Sequence, residues 1–230
     1  MTTCFHVKLM TIITVAIGWL PLSAFGFVYH AESIEGWVTE AETSKPLEGV
    51  IVVAYWQLKG GFEGGTPIGQ LQIYETVTDK SGRYYFPAWG PKFALFGNLK
   101  NESPGIYLFR PGYKILGLDN NWSPDRDMSK SDWNKKTVKL ESFKGTLGQY
   151  ADHLAGFNDS LWMVGFATSY RGGDPCGWKA FPQLLRALDR LETEFRSAGV
   201  VRGTVVSSLR ANDAQLKAAG CGSVEEVVKK

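Results

Sequence analysis

The side chains most able to do chemistry in this 230-residue sequence cluster at His153, with Asp152 beside it and Asp159 and Ser160 close behind. An imidazole, carboxylates and a hydroxyl are the parts of an acid–base or nucleophilic device. Such devices normally assemble from separate elements, and these residues share one short stretch. They read first as a helix-surface histidine beside a cap-like Asp/Ser group, with a hydrolase around His153 as the weakest alternative. Apart from His6 in the leading segment, the other histidine is His30, which reads as part of a flexible leading tail. No GxSxG, HExxH or GxxxxGK[ST] string occurs. The expectation is a chain that is not an enzyme, with no catalytic residue and no cofactor.

Two other groupings could hold a ligand. Asp119, Asp125 and Asp127, with Asn120 and Asn121, present the oxygens that Ca²⁺ prefers. They lack the D-x-D-x-D-G order and the distal glutamate of a calcium loop, so a solvated acidic loop without metal is the first reading. Indole faces stack on sugar rings, and Trp56, Trp89, Trp122, Trp133, Trp162 and Trp178 raise that chemistry. Trp56 reads as core. Trp89 heads the stretch Ala88–Pro104, while Trp122 and Trp133 fall in the polar stretch Asp119–Trp133. They define a carbohydrate-binding alternative, although packing is the ordinary fate of an indole.

The compartment follows from the first residues. Lys8 precedes an apolar run from Leu9 to Leu20, then Pro21, then small Ala24 and Gly26 at the positions before a cleavage point. This order marks residues 1–26 as an export signal. The run of about 12 residues falls short of the roughly 20 that span a bilayer. No later segment is long and apolar enough, so no transmembrane span is expected in the mature chain. Cys4 leaves with the signal. Cys176 and Cys221 remain, an even pair in an exported chain, and suggest one disulfide. The place expected is periplasmic or extracellular. Asn101-Glu-Ser and Asn158-Asp-Ser are glycosylation sequons that matter only in a eukaryotic secretory route. The 25 basic and 23 acidic residues nearly cancel, which gives no electrostatic reason to expect nucleic acid.

The elements that must position these residues fall into two blocks. Residues 27–142 are short apolar runs separated by turn residues. Ile34, Gly36 and Val38 alternate with polar positions. Val50 to Trp56 is a nearly continuous β-branched and aromatic run, typical of a strand covered on both faces. Lys59–Gly69 is glycine-rich and reads as a loop. Strands follow at Gln70–Thr78, Tyr84–Phe86, Gly105–Arg110, Tyr113–Leu118 and Thr137–Glu141. Residues 143–230 change character. A helix is expected over Thr146–Phe157, interrupted at Asn158-Asp159-Ser160. Leu184, Leu188, Leu191 and Phe195 recur along one helix face, with Pro182 at its start and Gly199 past its end. Shorter helices are expected at Ala211–Ala219 and Val224–Lys229. The class is mainly β, a sandwich followed by a small disulfide-tied α-helical region.

Four strings in order carry a family resemblance: Ile34-x-Gly36-x-Val38; Lys45-Pro46-Leu47-x-Gly49-Val50-x-Val52; Thr78-Asp79-x-Ser81-Gly82-x-Tyr84-x-Phe86; and Pro111-Gly112-Tyr113. They resemble carboxypeptidase regulatory-like domains over about half of the chain after residue 26. The resemblance implies a transthyretin-like, Ig-like sandwich of seven or eight strands in which Pro46, Gly49, Asp79, Gly82, Pro111, Gly112 and Tyr113 have turn-forming, structural roles. It brings no peptidase domain with it. The stretches Ala88–Pro104 and Asp119–Trp133 exceed what a hairpin needs, and long loops on a sandwich are where binding resides. The sequence therefore reads as an exported, non-catalytic interaction or accessory module. Its partner is a protein or, in the alternative, a glycan.

Overall fold

The computed structural model describes residues 27–60, 65–94, 97–166 and 175–229. The export segment 1–26 and most of the expected loop 171–175 lie outside them. The strands are β1 (Phe27–Ala31), β2 (Ile34–Glu40), β3 (Ile51–Gly60), β4 (Thr66–Val77), β5 (Arg83–Phe86), β6 (Trp89–Ala94), β7 (Asn98–Leu99), β8 (Gly105–Phe109), β9 (Leu116–Leu118) and β10 (Lys136–Leu140). The helices are α1 (Leu147–Ala155), α2 (Asn158–Phe166), α3 (Pro182–Ser197), α4 (Val205–Ala211), α5 (Asp213–Ala218) and α6 (Glu225–Val228), with a 3₁₀ turn at Gly177–Ala180.

β3 organises the molecule. Its residues from Ile51 to Gln57 are all buried. Successive side chains on a strand point to opposite faces. Val52, Ala54 and Trp56 therefore enter one core, with Val38, Phe86 and Leu140. Ile51, Val53 and Tyr55 enter a second, with Leu154, Trp178, Leu184 and Phe195 from the helices. β8 divides likewise: Ile106 and Leu108 face the first core, Tyr107 and Phe109 the second. The sheet β4-β3-β8-β9 is thus the middle of three layers. The small sheet β10-β2-β5, with β10 parallel to β2, closes the sandwich on one side. The helices cover the other side. They are not an appendage, because their core is continuous with the sheet.

α3 buries Leu184, Leu188, Leu191 and Phe195, as their spacing requires, and adds Leu185 and Ala187. Its N-cap, Phe181, offers no capping side chain. Glu75 of β4 does the work instead: the amides of Gln183 and Leu184 donate to its two carboxylate oxygens, each at 2.8 Å. Burial raises the Glu75 pKa and these bonds oppose the rise. Glu75→Ala is expected to cost about 1–3 kcal/mol, because both amides lose their acceptor. Glu75→Gln, which keeps one oxygen, should cost less. Urea denaturation of both variants checks the order, and equal losses would refute the clip. Cys176 and Cys221 are bonded, which ties the 3₁₀ turn to the segment before α6.

Several expectations need correction. The leading tail is not loose: His30 lies in β1, which pairs antiparallel with β6. The stretch Ala88–Pro104 is not a plain loop, since it supplies β6 and β7. Most of Lys59–Gly69 belongs to the hairpin of β3 and β4, which pair out to Gly60 and Thr66. Asn158-Asp159-Ser160 begins α2 rather than breaking a helix. α4 was not foreseen, because its opening Val205-Val206 has strand-like propensity. It forms because the Thr204 side chain accepts the Val206 amide and buried Glu192 accepts the Thr204 and Ser207 amides. The backbone of Tyr113 forms only an isolated bridge, to Ser142, and lies outside the strands, so the expected strand Tyr113–Leu118 shrinks to β9.

Candidate functional site

The turn residues of the resemblance come first, because they frame everything else. Asp79 accepts the amides of Ser81 and Arg83 at 2.8 and 3.0 Å, which folds the β4–β5 turn. Gly82 has φ +74, and a Cβ there would sit 2.3 Å from the Val38 carbonyl. Only glycine fits this close crossing. Pro46 bridges to Thr39, and Gly49 makes the turn into β3 at φ +79. After β8, Pro111 and Gly112 turn the chain, the Gly112 amide donates to the Tyr150 hydroxyl at 3.0 Å, and the Tyr113 hydroxyl donates to Glu40 at 3.1 Å. These residues join sandwich to helix.

His153 is held as a structural group. Its Nε2 accepts the Ile115 amide at 3.2 Å, and its ring packs against Phe143 and Phe157. Asp152 pairs instead with Arg202, at 2.6 Å. The alignment needed for an acid–base relay is therefore not formed between His153 and Asp152. Burial, and then the charge of Lys114, lower the His153 pKa. The neutral ring is the folded form, since a protonated Nε2 cannot accept. The unfolded chain therefore binds the extra proton, and stability is lost as pH falls below the ordinary value of 6.5 toward the lower folded value. Thermal melting from neutral to mildly acidic pH should show this loss. His153→Gln, whose side-chain oxygen accepts at any pH, should remove that part of the slope. An unchanged slope would refute the assignment.

The Asp119–Trp133 stretch is a self-bonded loop. Asn120 is buried at its centre: it donates to the Ser103 carbonyl at 2.6 Å and accepts the Asp132 amide at 2.9 Å. Arg126 ties Asp132 to the carbonyls of Asn121 and Lys130. Two of the three aspartates that could have offered oxygens to Ca²⁺ are occupied separately. Asp119 pairs with Lys100 at 3.2 Å, and Asp127 accepts the Ser129 hydroxyl and amide and pairs with Lys130. The Ser129 bonds hold the Asp127 carboxyl down at about 2. Asp125 is exposed in the same loop. No group of three His, Cys, Asp or Glu side chains among the described residues is placed to hold a metal.

The tryptophans separate by burial. Trp89 is 8% exposed and packs edge-on against Trp56 at 5.4 Å, so it belongs to the core and offers no stacking face, contrary to expectation. Trp133 is half-buried against the sandwich core and donates to the Asp119 carbonyl at 3.0 Å. Trp122 alone of these stands out, 66% exposed. Beside it the Asn101 amide donates to the Ser123 carbonyl and accepts its N–H, at 2.9 and 3.1 Å. Asn101 and Asn158, which donates to the Gly203 carbonyl at 3.0 Å, both have their side-chain nitrogens engaged.

Sequence reasoning missed the most unusual surface. β1 and β6 form a two-stranded ribbon in the register Phe27↔Ala94, Val28↔Phe93 and Tyr29↔Lys92. Tyr29 anchors it: the ring packs on the sandwich core and the hydroxyl accepts the Leu99 amide at 3.1 Å. Lys92 is also tied down, donating to the Leu71 carbonyl and Gln72 of β4. Phe93 and its cross-strand partner Val28 point outward, 68% and 51% exposed, while Phe27, 50% exposed, lies on the other face of β1 and stacks on Tyr29. Three of the seven large hydrophobic side chains exposed among the described residues thus lie on one ribbon. The signal in the sequence is slight: one phenylalanine between Lys92 and Ala94.

No family model matches the sequence, and no curated protein matches it either. Among solved structures, the chain is similar over 50% of its length to a streptococcal ancillary pilin, at 14% identity and a TM-score of 0.27, covering 30% of that chain. It is similar over 49% to 3-chlorocatechol 1,2-dioxygenase from Rhodococcus opacus 1CP, at 15% identity and a TM-score of 0.30, covering 61% of that chain. The C-terminal domain of shaft pilin spaA from Lactobacillus rhamnosus GG matches over 50% of this chain and 99% of its own, at 15% identity and a TM-score of 0.27. The chain therefore spans less than two thirds of the first two. Likenesses this distant carry no argument about activity.

Proposed function

We propose that this chain is an exported, non-catalytic accessory module that binds a protein partner through the β1–β6 ribbon, in the periplasm or outside the cell. The observation that carries the reading is the Val28–Phe93 pair, two large apolar side chains held outward on a ribbon whose inner face is anchored. Exposed apolar surface gathered in one place marks an interaction site. The disulfide and the signal-like order of residues 1–26 support export. The four turn strings support membership of the carboxypeptidase regulatory-like group, whose sandwiches accompany other machinery.

The test is comparative co-purification from cell envelopes with the parent protein and with Phe93→Lys. A partner enriched by the parent and depleted about tenfold by the variant is expected, the effect of losing one well-placed aromatic anchor. Equal recovery with both proteins, or fractionation of an unprocessed chain to the cytoplasm, would refute the reading.

A second reading rests on Trp122, an exposed indole on a hydrogen-bonded loop with polar neighbours. Stacking on a sugar ring is its natural chemistry. On a glycan array, binding that disappears with Trp122→Ala would promote this reading over the first, and an empty array would remove it.

A further inference from the structure

The ribbon has an open edge. β6 is the strand neighbour of β1, and no second strand covers the far side of β1 among the described residues. Proteins guard such edges with lysine, proline or inward charge. β6 carries Pro91, which lacks an N–H, but the five residues of β1, Phe-Val-Tyr-His-Ala, include neither lysine nor proline nor a formally charged side chain. A two-stranded sheet is marginal alone and gains from further pairing.

We infer that β1 pairs antiparallel with β1 of a second copy of this chain, about a twofold axis at Tyr29. The inference rests on the reading of the ribbon as the contact surface and names its occupant. Charge favours this arrangement. On the proposed removal of residues 1–26, β1 begins with the Phe27 ammonium and Glu32 lies just past its other end, so antiparallel pairing about Tyr29 brings each ammonium toward the other copy's Glu32. The nearest carboxylate along the chain is Glu32, just past the strand, whose amide donates to the Ser129 carbonyl. A parallel pairing would set the two Glu32 side chains side by side, whereas the antiparallel one sends them to opposite ends. Val28 then lies across from His30 of the second copy, and the two Phe93 rings flank the new four-stranded sheet on its outer face. Main-chain hydrogen bonds supply the adhesion, and an axis at Tyr29 pairs all five residues of β1. A twofold contact of this kind closes on itself and does not propagate.

Analytical ultracentrifugation of the purified protein over a concentration series tests the pairing. The expected mass is twice that of one chain, falling to one chain on dilution. Val28→Lys, which puts a lysine on each outer face, should weaken the dimer at least about tenfold in the manner of a natural edge guard. An unchanged melting profile shows that this variant folds. Val201→Lys removes an 88% exposed apolar side chain away from the ribbon and should leave the dimer intact. A parent that is monomeric throughout, a dimer indifferent to Val28→Lys, or equal dissociation by Val201→Lys would each overturn the pairing. A monomer that still co-purifies an envelope protein through Phe93 would overturn it while leaving the proposed function standing.

Discussion

Glu192→Ala is expected to lower the stability of this protein by about 3–5 kcal/mol, the cost of removing one partner from a buried charged network. Glu192 is 3% exposed on α3. One carboxylate oxygen accepts the Thr204 amide and hydroxyl, both at 2.5 Å, and the Ser207 amide at 3.2 Å. The other accepts the Ser207 hydroxyl at 2.9 Å, with the Arg210 guanidinium 3.8 Å away. The single side chain therefore holds the start of α4 against α3 and balances part of Arg210, which also pairs with Asp189 and Glu225. Alanine strands the buried Thr204 donors and leaves the half-buried Ser207 donors without their acceptor. Glu192→Gln keeps an oxygen for Thr204 and a polar group for Ser207, so it should lose markedly less. Guanidinium denaturation followed by circular dichroism gives both values. A Gln variant as unstable as the Ala variant would show that charge, rather than acceptor geometry, is what the site needs.

Removing the disulfide should cost about 4 kcal/mol on the chain-entropy account of a 45-residue loop. The variant to use is Cys176→Ser with Cys221→Ala, because Cys221 is fully buried and a serine there would add an unpaired hydroxyl. The shape of the transition is as informative as its midpoint. The helices share their core with Ile51, Val53, Tyr107 and Phe109 of the middle sheet. Helical dichroism and tryptophan fluorescence should therefore change together, with and without the bridge. Helices that melt well before the fluorescence changes would contradict the three-layer account.

What the sequence disclosed, and what it hid, follows from the range of the interactions. The run Val50–Trp56 announced a strand covered on both faces, since no polar alternation interrupts it. The Leu184–Phe195 stripe likewise carried its own period, and the cysteine pair its own arithmetic. β1 was illegible because its partner, β6, lies some sixty residues away and nothing inside Phe-Val-Tyr-His-Ala prescribes that pairing. The same distance concealed the site. Residue type pointed to Trp89 in the Ala88–Pro104 stretch, yet register against β1 turns Trp89 inward opposite Ala31 and Phe93 outward opposite Val28. In the Asp119–Trp133 loop, the buried Asn120 joins Ser103 to Asp132, and an asparagine in a polar stretch gives no sign of becoming a hub. For the same reason the Glu75 clip was invisible, since it joins residues more than a hundred positions apart.

Photo-crosslinking in intact cells tests the central claim most directly. A benzophenone amino acid is placed singly at Phe93, at Trp122 and at Lys80, an exposed residue in the β4–β5 turn. The account predicts a discrete covalent adduct from position 93 and none from position 80. Adducts confined to position 122, or no adduct from position 93 while the exported protein is abundant, would contradict it.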